Sequence, residues 1–163
     1  MLVRKINRAK WMNGNDTKEP PTADAITGCL RTKENTLSVW SINNETELEE
    51  AVLAIVSNQD RLETIDVVML DDDYFMKCKI STKETAGLTP VKDLVDAHRD
   101  LSSLDFWTIG MVAEHIIESI KKDKVKRFRE AELTKIIQNA IIKKRLELSD
   151  LKEGIIKKIT PLD

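Results

Sequence analysis

The chain has 163 residues, of which 41% are hydrophobic and 33% charged, with four prolines and five glycines. This composition excludes a disordered chain, and the length matches one domain with a single core. We therefore predict one domain over residues 1–163, with a mixed α/β part in 1–88 and an all-helical part in 89–163.

The sequence indicates a cytoplasmic protein without membrane contact. No run of about eighteen apolar residues occurs, and the first residues, MLVRKINRAKW, carry charges where a signal peptide is apolar. Cys29 and Cys78 lack the spacing of a metal knuckle or a disulfide framework, so we expect two reduced, mostly buried thiols. No cofactor is indicated.

The net charge of −2 is unevenly distributed along the chain. Residues 1–10 carry four basic and no acidic side chains, and residues 121–163 carry thirteen basic and seven acidic side chains. The acidic excess therefore lies in residues 11–120. Such segregation can mark separate surfaces for anionic and cationic partners, unless folding brings the segments together.

The first half of the chain predicts alternating strands and helices. LVRKINR at 2–8 suggests a short strand, and ADAITGCL at 23–30 a short helix. TLSVWSI at 36–42 and TIDVVML at 64–70 have strand composition. YFMKCKIS, after the second of these strands, suggests an edge strand.

An amphipathic helix separates those two strands. Thr46 and Glu49 have the spacing of a capping box, and apolar residues recur on one helical face through Ser57. The order and length of residues 36–70 therefore predict a βαβ unit with two parallel strands.

Four helices are predicted after Thr89, because the apolar period becomes helical there. They cover about 90–101, 105–120, 129–148 and 149–159. The predicted fold is thus α+β: a small mixed sheet with a βαβ unit near residues 36–70, covered and followed by four C-terminal helices.

The stretch AHRDLSSLDFW contains His-Arg-Asp-Leu, which also opens the catalytic loop of protein kinases. A kinase needs Asn five residues after the Asp, but Asp105 stands there, and no Gly-rich phosphate loop precedes it. We interpret the stretch as part of a helix that carries His98 on its apolar face. His98 and His115 are then expected to be hydrogen-bonded core residues.

Arg31, Thr32 and Asn35 form a candidate ligand or anion site before the strand at 36–42. The planar guanidinium of Arg31 suits a phosphate or carboxylate, and the other two side chains can donate hydrogen bonds. The alternative is a hairpin-like turn in which Asn35 is left-handed and Arg31 lies on the surface.

The segment KKDKVKRFRE is a candidate nucleic-acid site, because cations can replace phosphate counterions and Phe128 could stack on a base. Its alternative is a solvated linker between two helices, anchored by Val125 and Phe128. The cationic side chains are Lys121, Lys122, Lys124, Lys126, Arg127 and Arg129.

Asp71, Asp72 and Asp73 follow a predicted strand, where carboxylates can bind Mg²⁺ at the rigid end of a sheet. Consecutive aspartates also suit a solvated turn. The three residues are therefore a weak metal site and the basis of one alternative function, a metal-assisted enzyme.

No nucleophile, phosphate-loop or dinucleotide motif is present, so a non-enzymatic role is the leading hypothesis. We predict a protein-interaction or regulatory accessory protein, for example an inhibitor or antitoxin-like partner, that acts through apolar helix faces. Ile137, Ile141 and Ile155 are the candidate interface with a protein partner or a second copy. The alternative is that these isoleucines belong to the core.

Overall fold

The computed structural model describes residues 1–14 and 16–159, which form an antiparallel sheet of six strands with helices packed on both faces. The α+β class and the C-terminal helices are confirmed. The sheet strands are β1 (Leu2–Ile6), β4 (Leu37–Ser41), β5 (Ile65–Leu70), β6 (Ser81–Glu84), β7 (His98–Ser102) and β8 (Val125–Phe128). A separate two-stranded hairpin contains β2 (Met12–Asn13) and β3 (Asp16–Thr17).

Seven α-helices accompany the strands in the described part of the chain. They are α1 (Arg8–Trp11), α2 (Ala23–Cys29), α3 (Leu48–Val56), α4 (Asp72–Lys77), α5 (Phe106–Lys121), α6 (Glu130–Ile142) and α7 (Glu153–Ile159). None of the helices within 1–14 and 16–159 combines the length and the apolar character that crossing a bilayer requires.

The first strand of the chain lies inside the sheet, whose order is β6-β7-β4-β1-β5-β8. Both β4 and β5 pair with β1 and run antiparallel to it, so they are parallel to each other. The βαβ unit from β4 through α3 to β5 therefore exists, with β1 inserted between its two strands. As a result every neighbouring pair in this sheet is antiparallel, where the sequence predicts a mixed sheet.

The sheet separates two apolar cores. Helices α3, α6 and α7 cover one face, and α2, α5 and Phe75 of α4 cover the other. All six residues of β5 are buried, and five of them are apolar, as expected for a strand that is covered on both faces; the exception is Asp66. The acidic Asp66 is paired with Arg127 of the edge strand β8 at 2.8 Å.

The predicted helix at 90–101 is wrong. A 3-10 turn occupies Lys92–Ala97, and His98–Ser102 forms strand β7 between β4 and β6. The apolar spacing suits a helix, but hydrogen bonds to two neighbouring strands favour the extended backbone. The kinase-like tetrapeptide is therefore part of a strand, and β7 and β8 lie in the region predicted to contain helices only.

Several element boundaries also differ from the prediction. Asn44, rather than Thr46, caps the turn that leads into α3 by accepting a hydrogen bond from the Thr46 amide. The segment YFMKCKIS belongs mostly to α4 and the turn after it, and the edge strand is β6. Helix α6 ends at Ile142, before Lys144, whose φ of 57° is left-handed.

Candidate functional site

Strands β1 and β4 separate after only two paired positions, Leu2 with Ser41 and Val3 with Trp40. The Arg4 side chain occupies the space between them. Its Nε and Nη2 donate to the Cys29 carbonyl at 3.0 and 2.6 Å, and its Nη1 donates to the Ser38 carbonyl. Burial lowers the pKa of Arg4 to about 10, so the guanidinium remains charged at neutral pH.

A cleft of about 460 Å³ lies next to this separation, and we call it the serine–histidine cleft. It is bounded by the separated strands, the end of α3 and the loop after β6. Residues that line it include Arg31, Lys33, Ser38, Asn58, Leu88 and His98.

Ser38, His98, Thr85 and Asp100 form a continuous chain of hydrogen bonds in this cleft. Ser38 Oγ lies 2.7 Å from His98 Nε2, and Thr85 Oγ1 lies 2.8 Å from His98 Nδ1. Thr85 Oγ1 also donates to Asp100 Oδ2 at 2.9 Å. The four residues come from β4, β7 and the residue after β6, which are neighbours in the sheet.

The positions of the protons follow from the donors available. The Asp100 carboxylate can only accept hydrogen bonds, so the single hydroxyl proton of Thr85 must point towards Asp100. The Thr85 oxygen must then accept from the Nδ1–H of His98. A neutral imidazole with a proton on Nδ1 has a lone pair on Nε2, so the Ser38 hydroxyl donates to it.

His98 is buried and makes an edge-on contact with Trp40, at 5.1 Å between ring centroids. Burial lowers the pKa of His98, and the nearby Asp100 carboxylate partly offsets that effect. The imidazole is therefore neutral at pH 7, as the proton positions require.

The loop after β6 closes one side of the cleft. A Cβ on Gly87 would lie 2.5 Å from the Trp40 ring, so only glycine permits this close approach. The next residue, Leu88, lines the cleft with 81% of its surface exposed. An apolar side chain thus lies at the solvent-facing boundary of a polar site.

The structure divides the predicted Arg31, Thr32 and Asn35 site between two cavities. Arg31 lines both the serine–histidine cleft and a second cavity. Thr32 and Asn35 line only the second cavity. Glu34 and Asn35 have φ values of 53° and 58°, in a two-residue turn closed by Lys33 and Thr36. Asn35 is thus left-handed and Arg31 is exposed, as in the alternative turn, and ligand binding by the three residues stays a prediction.

The second cavity, which we call the aromatic groove, has a volume of about 670 Å³. Phe106 lines it, and Phe106 and Trp107 are 82% and 75% exposed at the start of α5. Asp105 caps this helix by accepting hydrogen bonds from the amides of Trp107 and Thr108, which fixes the backbone that carries the aromatic pair. Apolar residues of the groove are Ile26, Leu30, Leu104 and Ile109.

The basic segment 121–129 forms the edge strand β8 and the turn before it. Lys121 pairs with Glu19, Lys122 lies 3.8 Å from Glu118, and Arg127 forms two hydrogen bonds with Asp66. The other three cations, Lys124, Lys126 and Arg129, form no ion pair with a carboxylate of residues 1–14 and 16–159.

Phe128 is buried against the core, so its predicted role as a base-stacking platform is wrong. Cations on an exposed edge strand also discourage pairing with a strand of another molecule. Nucleic-acid binding by the six cations stays a prediction.

The aspartates Asp71, Asp72 and Asp73 begin α4. Asp71 caps it by accepting from the Asp73 amide at 3.1 Å, and Asp72 accepts from the Thr82 hydroxyl. In the part of the chain that the structure describes, no three His, Cys, Asp or Glu side chains are grouped to hold a metal ion. Helix capping accounts for the position of Asp71, and metal binding by the three aspartates stays a prediction.

His115 belongs to the core on the α5 side of the sheet, 17 positions away from His98 in the chain. Its Nε2 accepts from the Asp71 amide at 3.0 Å, and its ring stacks on Tyr74 at 4.0 Å. Burial lowers its pKa, and these contacts fit the predicted role of a hydrogen-bonded core residue.

The candidate interface residues Ile137 and Ile155 are fully buried inside the chain, and Ile141 packs against the same core. A side chain with no exposed surface cannot contact a partner without a change of fold. Their burial supports the alternative that these isoleucines are core residues.

Sequence reasoning missed Ser38, Thr85 and Asp100 and placed His98 on a helix. The residues are separated by up to 62 positions and come from two strands and the residue after a third, so no spacing motif connects them. One signal was present: His98 and Asp100 alternate, as two residues on the same side of a strand do. It became interpretable only once β7 was known to be a strand.

The chain matches no family model, no curated protein and no solved structure.

Proposed function

We propose that the chain binds a small anionic molecule, a carboxylate or a phosphate, in the serine–histidine cleft. The observation that carries this proposal is the presence of Arg31 and Lys33 in the same cleft as the Ser38–His98 pair. Its volume of about 460 Å³ falls within the roughly 300–1,000 Å³ typical of ligand pockets.

The charges in the cleft favour an anion. Arg31 and Lys33 are exposed, and neither forms an ion pair with another residue in 1–14 or 16–159. Among the described residues that line the cleft, Asp100 is the one carboxylate, and it accepts a hydrogen bond from the Thr85 hydroxyl. A guanidinium can bind a carboxylate or phosphate through two parallel hydrogen bonds, and the lysine adds a second positive charge.

The remaining walls limit the ligand to a small, partly apolar molecule. Trp40, Ile55 and Leu88 contribute apolar surface, and Ser38 and Asn58 contribute polar groups. This combination of apolar walls with a few polar groups is typical of small-molecule sites.

The test is calorimetric titration of the purified chain with succinate and, separately, with inorganic phosphate. We expect Arg31→Ala/Lys33→Ala to lower the affinity for the bound anion at least tenfold, about 1.4 kcal/mol. The control Lys135→Ala/Lys152→Ala makes the same change in charge at exposed positions outside the cleft. Equal affinities for wild type and the Arg31/Lys33 variant, or no binding of either anion, would contradict the proposal.

The aromatic groove is a candidate surface for the second function, binding of a protein partner. Adjacent exposed Phe and Trp side chains are unusual on a monomer, and aromatic residues dominate the binding energy of interfaces. Arg31 at the border of the groove supplies the charge complement for an acidic group. We propose a partner protein whose binding segment places a carboxylate beside an apolar side chain.

Selection from a displayed peptide library on the immobilised chain tests this second function. We expect enriched peptides to combine Asp or Glu with Leu or an aromatic residue, and to lose binding to Phe106→Ser/Trp107→Ser. Because both side chains are exposed, this variant should be as stable as wild type within about 0.5 kcal/mol. Ile142→Ser/Leu148→Ser, which also removes two exposed apolar side chains, is the control and should retain the peptides.

Peptides that bind the Phe106/Trp107 variant unchanged would contradict the second function. Light scattering of the free chain provides a further check, because a dimer broken by the same variant would identify a second copy as the occupant instead.

A further inference from the structure

We propose that Ser38 is the nucleophile of an acyl-transfer site, with His98 as its general base and a small carboxylic ester that carries an anionic group as its substrate. This inference rests on the proposed anion binding in the same cleft. It adds the reaction and the substrate class.

The first observation is the geometry of the nucleophile and the base. Ser38 Oγ lies 2.7 Å from His98 Nε2, within the roughly 2.6–3.2 Å at which a base can take a hydroxyl proton. Ser38 is exposed and lines the cleft, so a ligand can reach its oxygen, whereas His98 is buried. An accessible serine that donates to a buried neutral imidazole is the arrangement that nucleophilic catalysis requires.

The second observation is the orientation of the base. Thr85 Oγ1 accepts a hydrogen bond from the Nδ1–H of His98 and donates one to Asp100, so the imidazole has its lone pair on Nε2, towards Ser38. Thr85 and Asp100 are positioning residues. Since a hydroxyl separates the carboxylate from the imidazole, the imidazolium is stabilised less than by direct contact. We therefore expect slow turnover.

The third observation is the polar surface around Ser38. Arg31 and Lys33 line the same cleft as Ser38, so an ester whose anionic group they bind is held in the cleft that contains the nucleophile. Asn58, from the turn after α3, also lines the cleft, and its neutral side-chain amide is the donor that we assign to the developing oxyanion.

The reaction balances without a cofactor. Ser38 Oγ forms a bond to the carbonyl carbon while its proton passes to His98 Nε2. The bond from this carbon to the leaving oxygen then breaks, and His98 returns the proton to that oxygen to release an alcohol. Water attacks the acyl-serine by the same route, releasing the carboxylic acid and restoring the Ser38 hydroxyl.

Two probes test the proposal on the full chain. A fluorophosphonate forms an O–P bond to an activated serine and releases fluoride, and mass spectrometry locates the adduct. We expect one adduct, on Ser38. With 4-nitrophenyl hemisuccinate we expect a burst of nitrophenol, and a higher kcat/KM than with uncharged 4-nitrophenyl acetate.

Matched variants separate catalysis from structure. Ser38→Ala should abolish the adduct and the burst, while Ser41→Ala, on the same strand, should keep both. Thr85→Val should lower the hydrolysis rate by about 10- to 100-fold with little change in KM, because it removes only the group that orients the base.

The pH profile gives a readout that a structural role would not change. The rate should fall in acid as His98 becomes protonated, at a lower pH than for an ordinary histidine, because burial lowers its pKa. The charged groups near His98 are Asp100 and Arg99 on β7, with Arg4, Arg31 and Lys33 lining the cleft. Asp100→Asn removes a charge that raises this pKa, so the acid limb should move to lower pH.

Failure of the inference differs from failure of the proposed function. If succinate binds in an Arg31- and Lys33-dependent manner but Ser38 gives neither adduct nor burst, the acyl-transfer proposal is overturned and anion binding stands. An adduct or burst that persists in Ser38→Ala also overturns it. If neither succinate nor phosphate binds and no adduct forms, both proposals are wrong.

Discussion

An Ile137→Glu variant is expected to be unfolded at neutral pH, whereas Ile142→Glu, five residues later in the same helix, should keep the native fold. The Ile137 side chain is fully buried in the core between its own helix, α6, and the sheet, whereas Ile142 is 76% exposed. An unpaired carboxylate at the first position would lose its hydration without gaining a partner. Far-ultraviolet circular dichroism and urea denaturation distinguish the two outcomes.

A milder substitution at the same position gives a variant whose loss of stability can be measured. Ile137→Ala should lower the free energy of unfolding by roughly 3–4 kcal/mol, since it removes buried apolar surface and leaves a cavity. A folded, monomeric Ile137→Glu variant would instead return Ile137 and Ile141 to the interface role that the sequence suggests. Comparing its mass with that of wild type by light scattering would settle which description holds.

Replacing Arg4 with methionine should destabilise the chain by about 3 kcal/mol. The variant loses three charge-assisted hydrogen bonds to the Cys29 and Ser38 carbonyls, each worth roughly 1.5–3 kcal/mol. Relief from burying the Arg4 charge offsets part of that loss. The midpoint of urea denaturation is the measurement.

Lys5→Met is the matched control for Arg4. Lys5 is the next residue of β1, is exposed, and lies 3.9 Å from Glu63, so its loss should change stability by no more than about 0.5 kcal/mol. Equal stability of the two variants would mean that the separation between β1 and β4 is maintained without Arg4.

The central part of the fold was predictable because its signals are local. β5 is an apolar run of strand length, and α3 has apolar residues at helical spacing, so both were recognised. The position of β1 between β4 and β5 was not predictable, because pairing between distant strands leaves no periodic pattern in either strand.

Segments with ambiguous patterns were misassigned. The apolar residues before and within β7 fit a helix as well as a strand, and only its pairing with β4 and β6 selects the strand. β8 was missed because its charged residues resemble a solvated linker, although Phe128 and Val125 anchor it to the two cores. Of the site, only Arg31 was predicted in a ligand-binding role.

The position of β1 also has a consequence for how the chain folds. Strand β1 (residues 2–6) pairs with β4 and β5, which begin at residues 37 and 65, so both pairings close long loops. Such non-local contacts favour slow folding and leave both edges of β1 without a partner until β4 and β5 have been synthesised. During translation, this first segment is therefore the part of the sheet most in need of protection from association with other chains.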